Sequence, residues 1–481
     1  MPDPSALALE AAVAAGAESA DARLLTTESE RLAARHGRLE HVARDEDTGL
    51  AVRVLAGGAW GFAATQRLDA DSVAAAAREA VAQARACAAL RAAPIALTPE
   101  PAHVARWQTP YEIDPASVPT ADKTALLVAA SRALEERPGI TSGEAFMAFR
   151  TERQSLHTSD GAAIEQTIRF AGCGLTAISV GAGGIQKRSY PNSWGQWITG
   201  GYELVERLDL LANVAETARE CAALQDAAPC PAGRFDLILD PRQLMLQIHE
   251  SVGHPLELDR VLGGEANYAG TSFATTDKLG SLRYGSPLVN LTADATLPGG
   301  VATFGFDDEG VAGQRWPLVH AGVLSGYLTS REYAGAIGEQ RSRGTMRADG
   351  WFHAPIVRMV NISLEPGGED LSLDDLIADT RHGLFMSTNR SWSIDQRRVN
   401  FQFGCELAYE IRDGKLGRLL RNPLYHGLTT EFWGSCDALG GPRSWQAWGL
   451  ANCGKGQPAQ IAEMTHGSPP ARFRQVACGA S

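Results

Sequence analysis

His249 and His254 stand five residues apart in His249-Glu250-Ser251-Val252-Gly253-His254, and a regular helix cannot bring two such side chains to one point. At about 100° per residue, an ideal α-helix splays them by roughly 140°. The common H-E-x-x-H spacing of four keeps both imidazoles on one face. For these two to share a ligand, the backbone must change between them. Glycine precedes the second histidine and proline follows it. A residue before proline is pushed out of the α region, and glycine at a helix end readily turns left-handed. The spacing therefore predicts a helix opening near Pro241, with Asp240 as its N-cap, that loosens or ends at Gly253. Leu244, Met245, Ile248 and Val252 form its apolar face. A π-bulge is the other device that aligns residues i and i+5.

Two imidazoles and a carboxylate are the minimum kit for binding zinc and deprotonating a water beside it. The plainer alternative is a helix with one core histidine, one exposed histidine and a solvated glutamate. A catalytic zinc takes three protein ligands, so a third must come from elsewhere in the chain. Cys453, in Asn452-Cys453-Gly454-Lys455-Gly456, is the first candidate, on a glycine-rich segment expected to be neither regular helix nor strand core. An ordinary buried thiol is its alternative reading. His466, Glu257 and Asp259 come next. The last two follow the motif closely and could instead orient an imidazole.

Composition removes several classes of function. A formal charge of −12 with no long Lys/Arg cluster argues against nucleic-acid binding. No apolar run reaches membrane-spanning length, and the N-terminus lacks a basic region before its alanine-rich segment. The eight cysteines contain no C-x-x-C pair and are expected as reduced thiols in a cytoplasmic protein.

Periodicity and turn signals predict an α+β chain of two domains. The first, residues 1–228, is an α/β domain. It has helices over 5–17, about 69–90, 121–137 and 204–223, and strands over 22–27, 49–55, 60–65, 144–150, 153–158 and 164–180. Residues 91–120 read as a connector. The second, residues 229–481, is β-rich and mainly antiparallel and carries the motif helix. Its strands are expected at 235–240, 301–306, 315–320, 323–328, 355–364 and 397–412, with Asp413-Gly414 turning into 415–420. Residues 260–300 read as a long irregular stretch.

Several segments in order resemble the TldD/PmbA peptidases, in the metal-carrying, TldD-like branch. They are Gly49-Leu50-Ala51-Val52-Arg53-Val54-Leu55 with Gly61-Phe62-Ala63, the histidine motif, Asp307-Asp308-Glu309-Gly310, Gly322-Val323-Leu324-Ser325-Gly326-Tyr327-Leu328, Pro355-Ile356-Val357-Arg358-Met359 and Cys453-Gly454-Lys455. The resemblance implies that His249, His254 and Cys453 bind Zn2+ and that Glu250 is the general base. It implies an unfolded peptide substrate, bound as an added strand. It also implies a subunit that pairs as a homodimer or with a PmbA/TldE-like chain. The run Pro255-Leu256-Glu257-Leu258-Asp259-Arg260 and the C-terminal Ser468-Pro469-Pro470 depart from the family's pattern, which suits a specialised peptide substrate. An oxyanion needs a donor, and Arg358, Tyr425 and His426 are the candidates; Arg358 could instead pair with Asp307, Asp308 and Glu309. The competing functions are an amidohydrolase acting on a small non-peptide amide and a non-catalytic peptide-binding subunit.

Overall fold

A computed structural model describes residues 3–480. Strands Ser19–Arg35, Arg38–Ala56, Ala59–Thr65, Val104–Gln108, Ser142–Thr158, Ala163–Gly181, Gly184–Tyr190 and Gln196–Thr199 form one eight-stranded sheet, almost wholly antiparallel. Its register places Ala22 opposite Val52 and Leu32 opposite Met147. These small and branched residues share one face, where helices Pro4–Ala14, Ala70–Ala88, Thr120–Glu135 and Leu210–Ala223 cover them. The strands are longer than expected. Residues 28–48 alternate polar side chains over a ribbon whose far strand is exposed, so hydrophobic periodicity was silent there. The expected connector contains the strand Val104–Gln108. The expected helix over 204–223 breaks at Asp209, whose φ of 40° ends one helix while its carboxylate accepts the N–H of Ala212 to start the next.

The other face of this sheet meets the second half of the chain through buried charge. Arg23 pairs with Asp308, and Arg53 bridges Asp21 at 2.8 Å and Glu309 at 3.2 Å. The Asp307 carboxylate accepts the N–H groups of Glu309, Val311 and Met346, which fixes the turn that presents its two neighbours. The acidic run is thus a dovetail between the halves, and Arg358 does not pair with it. Gln166 completes the joint: its amide oxygen accepts from Gly305 and Phe306, and its amide nitrogen donates to the Phe306 carbonyl. The strand expected over 301–306 is absent, since these residues form turns held by that side chain.

Residues from Ala228 onward build two large sheets, one of eight strands and one of six, and a two-stranded ribbon of Met346–Arg347 with Ile356–Val357. Strands His382–Ile394 and Pro423–Leu428 in the larger sheet, and Leu291–Asp294 in the smaller, lie where no strand was expected. The helix Pro241–Ile248 runs between the sheets, against His382–Ile394 on one side and Gln460–Ser468 on the other. It opens as the sequence dictates, with the Asp240 carboxylate accepting the Gln243 N–H at 3.2 Å. It is buried nearly all round, beyond the apolar stripe that its pattern shows. Its polar Gln243 and Gln247 meet at Tyr425: the Gln243 amide nitrogen donates to the Tyr425 hydroxyl, which donates to the Gln247 amide oxygen, both at 3.0 Å. Tyr425 is therefore a core strut.

Candidate metal centre

The helix does not stop at Gly253. After Ile248 it widens into one π turn, His249–Gly253, and then tightens into a 3-10 turn, His254–Leu256. The His254 N–H donates to the His249 carbonyl, an i to i−5 bond. The extra residue in that turn cancels the angular splay. The two imidazoles come to one side, their ring centroids 4.9 Å apart at an interplanar angle of 82°. Gly253 is helical (φ −59°), not left-handed, and His254 stays helical despite Pro255. Glycine is required for space: a Cβ there would stand 2.0 Å from Met359 Sδ. Met359 is fully buried and cannot step aside freely. Gly253→Ala is expected to destabilise the protein by about 1–3 kcal/mol through overpacking and to loosen the histidine pair. An unchanged melting temperature with unchanged metal content would refute that role.

Cys453 closes the cluster. Ligand atoms of His249, His254 and Cys453 all lie within 4.8 Å of one another, and all three residues are buried. Cys453 sits on a strand, Gln446–Lys455, and not on the irregular loop expected for it. Its pairing with Gln460–Ser468 shifts register between Leu450 and Cys453, and such a bulge re-aims side chains. The Arg358 guanidinium donates to the Cys453 carbonyl at 2.5 Å and to the Gln460 carbonyl at 3.1 Å. Arg358 therefore braces the cysteine from behind and does not line the cleft.

The hydrogen bonds around the imidazoles settle their tautomers. His466 Nδ1 lies 3.1 Å from the Ile362 carbonyl, which can only accept, so Nδ1 carries the proton. Burial holds His466 at a pKa of about 4, so it is neutral at pH 7 and its Nε2 is an acceptor. His249 Nδ1, 2.9 Å away, must then donate to it, which leaves His249 Nε2 with a lone pair for a metal. His254 Nδ1 donates to Glu257 at 2.9 Å in the same manner, and its Nε2 faces Cys453 Sγ at 3.5 Å. Burial also pushes both His249 and His254 well below the ordinary imidazole pKa, with nearby cations reinforcing it. Neutral imidazoles turned Nε2-inward, plus a thiol, match the donor set of a zinc site. His466, Glu257 and Asp259 stand behind that set. Lys455 Nζ binds Asp259 at 2.8 Å and reaches Glu257 and Glu265 at 3.5 and 3.4 Å, so one ammonium organises the carboxylates behind His254. Glu257→Gln is expected to lower metal affinity about 10–100-fold with the fold intact, measured by competition with a chelator; an unchanged affinity would remove Glu257 from the site's support.

Glu250 projects into a cleft of about 360 Å³ that also exposes His249, His254 and Cys453 and is walled by Trp194, Trp392, Ile394 and Leu450. Burial raises its carboxyl pKa, opposed by the Arg398 guanidinium with which it forms a charge-assisted hydrogen bond. Arg398 lies 148 positions away and was not foreseen. No spacing rule links residues so distant, and its segment read only as the start of a strand. Its backbone is left-handed (φ 63°), in a turn where the Asp395 carboxylate accepts the N–H groups of Arg397, Val399 and Asn400. His426 is exposed and lines a separate cavity of about 760 Å³ with Gln402 and Glu431. None of the three expected oxyanion donors lines the metal-side cleft.

Known proteins share this architecture and sequence. The chain is 30% identical over 463 residues to a "Metalloprotease" of Methanothermobacter thermautotrophicus, covering 96% of this chain and 95% of that one. It is 23% identical to a "Zinc metalloprotease TldD homolog" of Saccharolobus solfataricus over 58% of each. The fold superposes on TldE from Thermococcus kodakarensis with a TM-score of 0.72 at 15% identity, over 99% of this chain and 100% of that one. Models of the PmbA/TldA metallopeptidase match at residues 20–84 (domain 1), 113–225 (central domain) and 232–479 (C-terminal domain). With matches from residue 20 to residue 479 and a full-length relative at that identity, the chain belongs to the PmbA/TldD metallopeptidase family.

Proposed function

We propose that this protein is a zinc metallopeptidase that hydrolyses bonds of small or unfolded peptides, with Glu250 as general base. The observation that carries this reading is the convergence in one cleft of two inward-facing Nε2 atoms, a thiol and a carboxylate of raised pKa. His249, His254 and Cys453 would hold the ion and leave a position open. When bound, zinc polarises a carbonyl and makes water more acidic. Glu250 takes the proton of the attacking water and delivers it to the leaving amine. A raised carboxyl pKa brings that exchange closer to neutral pH. The carboxylates gathered by Lys455 turn His254 and offset the charge of a dication.

A peptide is the substrate class that the walls suit. Gln446–Lys455 is the last strand of its sheet, and its Asn452 and Gly454 line the cleft, so an extended chain can align beside Cys453. Trp194 and Trp392, 5.6 Å apart edge to face, offer an apolar wall for a side chain. A second subunit, either another copy or a PmbA/TldE-like chain, would complete the assembly. Eight free thiols fit a cytoplasmic setting, and no helix among the described residues is long and apolar enough to cross a membrane. Zinc measurement per chain, with cleavage of a disordered peptide before and after 1,10-phenanthroline treatment and zinc readdition, tests the reading. Zinc-loaded protein that cuts no disordered peptide, alone or with a PmbA/TldE-like subunit, would overturn it.

A further inference from the structure

We propose that Arg398 is a catalytic residue that binds the scissile carbonyl oxygen and stabilises the oxyanion; this rests on the peptidase reading above. Addition of water to the carbonyl carbon sends the C=O π pair onto oxygen. A site for that chemistry needs a donor aimed at the oxygen, and the three donors expected from sequence lie elsewhere: Arg358 behind Cys453, Tyr425 in the core, His426 beside another cavity. Arg398 is the only lysine or arginine lining the metal-side cleft among the described residues.

Its guanidinium is under-used as it stands. Nη1 donates to Glu250, and Nε is buried with no hydrogen-bond partner. A guanidinium carries five N–H groups in a rigid fork, so most of its capacity is free. An unpaired buried donor is costly, and sites that tolerate one commonly reserve it for a ligand. The backbone spends further effort on this side chain. Its left-handed conformation is uncommon for a residue with a Cβ, and it is locked from both sides: Asp395 caps the turn, and the Thr429 hydroxyl donates to the Arg398 carbonyl at 2.7 Å. The Arg398 side chain is only 12% exposed, so its charge acts in a poorly screened setting.

The balance of the step is closed. Water oxygen bonds to the carbonyl carbon and its proton goes to Glu250, while the negative oxygen is held by Arg398. The C–N bond then breaks and the proton passes from Glu250 to nitrogen, leaving one new carboxyl end and one amine. No co-reactant beyond water is consumed. As Glu250 becomes neutral it releases its claim on Arg398, just as the oxyanion that needs the guanidinium appears.

The competing role for Arg398 is to position Glu250, and a binding experiment separates the two. In a Glu250→Gln background there is no carboxylate to position. Affinity of zinc-loaded protein for a phosphinic peptide, an anionic mimic of the tetrahedral state, is measured with and without Arg398→Ala. Direct contact predicts a loss of about 100-fold or more, with zinc content unchanged and partial recovery when methylguanidinium is added. In the otherwise wild-type protein, Arg398→Ala and Arg398→Lys should each lower kcat far more than they raise KM. Equal phosphinate affinity in the two Glu250→Gln proteins, or an Arg398→Ala kcat within threefold of wild type, would overturn the proposal while leaving the peptidase reading standing. Wild-type protein that neither cleaves peptides nor binds the phosphinate would remove both.

Discussion

Glu250→Gln is expected to reduce peptide turnover by about 10²–10⁴-fold, the usual contribution of a positioned general base. Glutamine keeps the shape of the side chain and can still accept a hydrogen bond from Arg398, but it cannot take a proton. The loss should appear in kcat, with zinc per chain unchanged, because Glu250 is not among the clustered ligand atoms. Single-turnover cleavage of a disordered peptide alongside metal analysis reads both quantities. A fully zinc-loaded variant that turns over within threefold of wild type would show that another group moves the proton.

Cys453→Ala is expected to lose zinc at pH 7 under a chelator that leaves the wild type loaded. The pH dependence should be as informative as the loss. Burial pushes the Cys453 thiol up to about 11, whereas both imidazoles are held well below 6.5 and are already neutral at pH 7. Binding as a thiolate must therefore expel one proton from sulfur and none from the histidines. Apparent zinc affinity should rise about tenfold per pH unit, or about 100-fold from pH 7 to pH 9. The slope runs upward with pH because the thiol pKa in the free protein lies above that window. Without Cys453 that slope should vanish. Calorimetric titrations in buffers of different ionisation enthalpy would report the released proton. Full zinc retention by the variant, with the same slope as wild type, would exclude sulfur from the site.

Local rules read well where a single segment decides the outcome. Asp240 capping a helix that opens at Pro241, and the hairpin turn at Asp413-Gly414, follow from side-chain chemistry within a few residues. The same rules misjudged Gly253 and His254. They assumed that glycine serves a left-handed turn and that proline expels its predecessor from the helix. The packing of Met359 and the register of a buried π turn overrode both preferences. Cys453 was placed on a loop because glycines surround it, yet strand Gln460–Ser468 imposes strand geometry on it from outside.

What the sequence by itself determined is the inventory and its spacing. The five-residue interval required a non-α turn, and the donor types His, His and Cys suited zinc. The tertiary structure decided everything that depends on separated segments meeting. It set which nitrogen each imidazole turns inward, through His466 and Glu257, and it brought Arg398 against Glu250. It also put Asp308 and Glu309 on arginines of the other half of the chain. Periodicity and capping act over a few residues, whereas a hydrogen bond between positions 148 or 217 residues apart exists only once two sheets have closed on the helix between them.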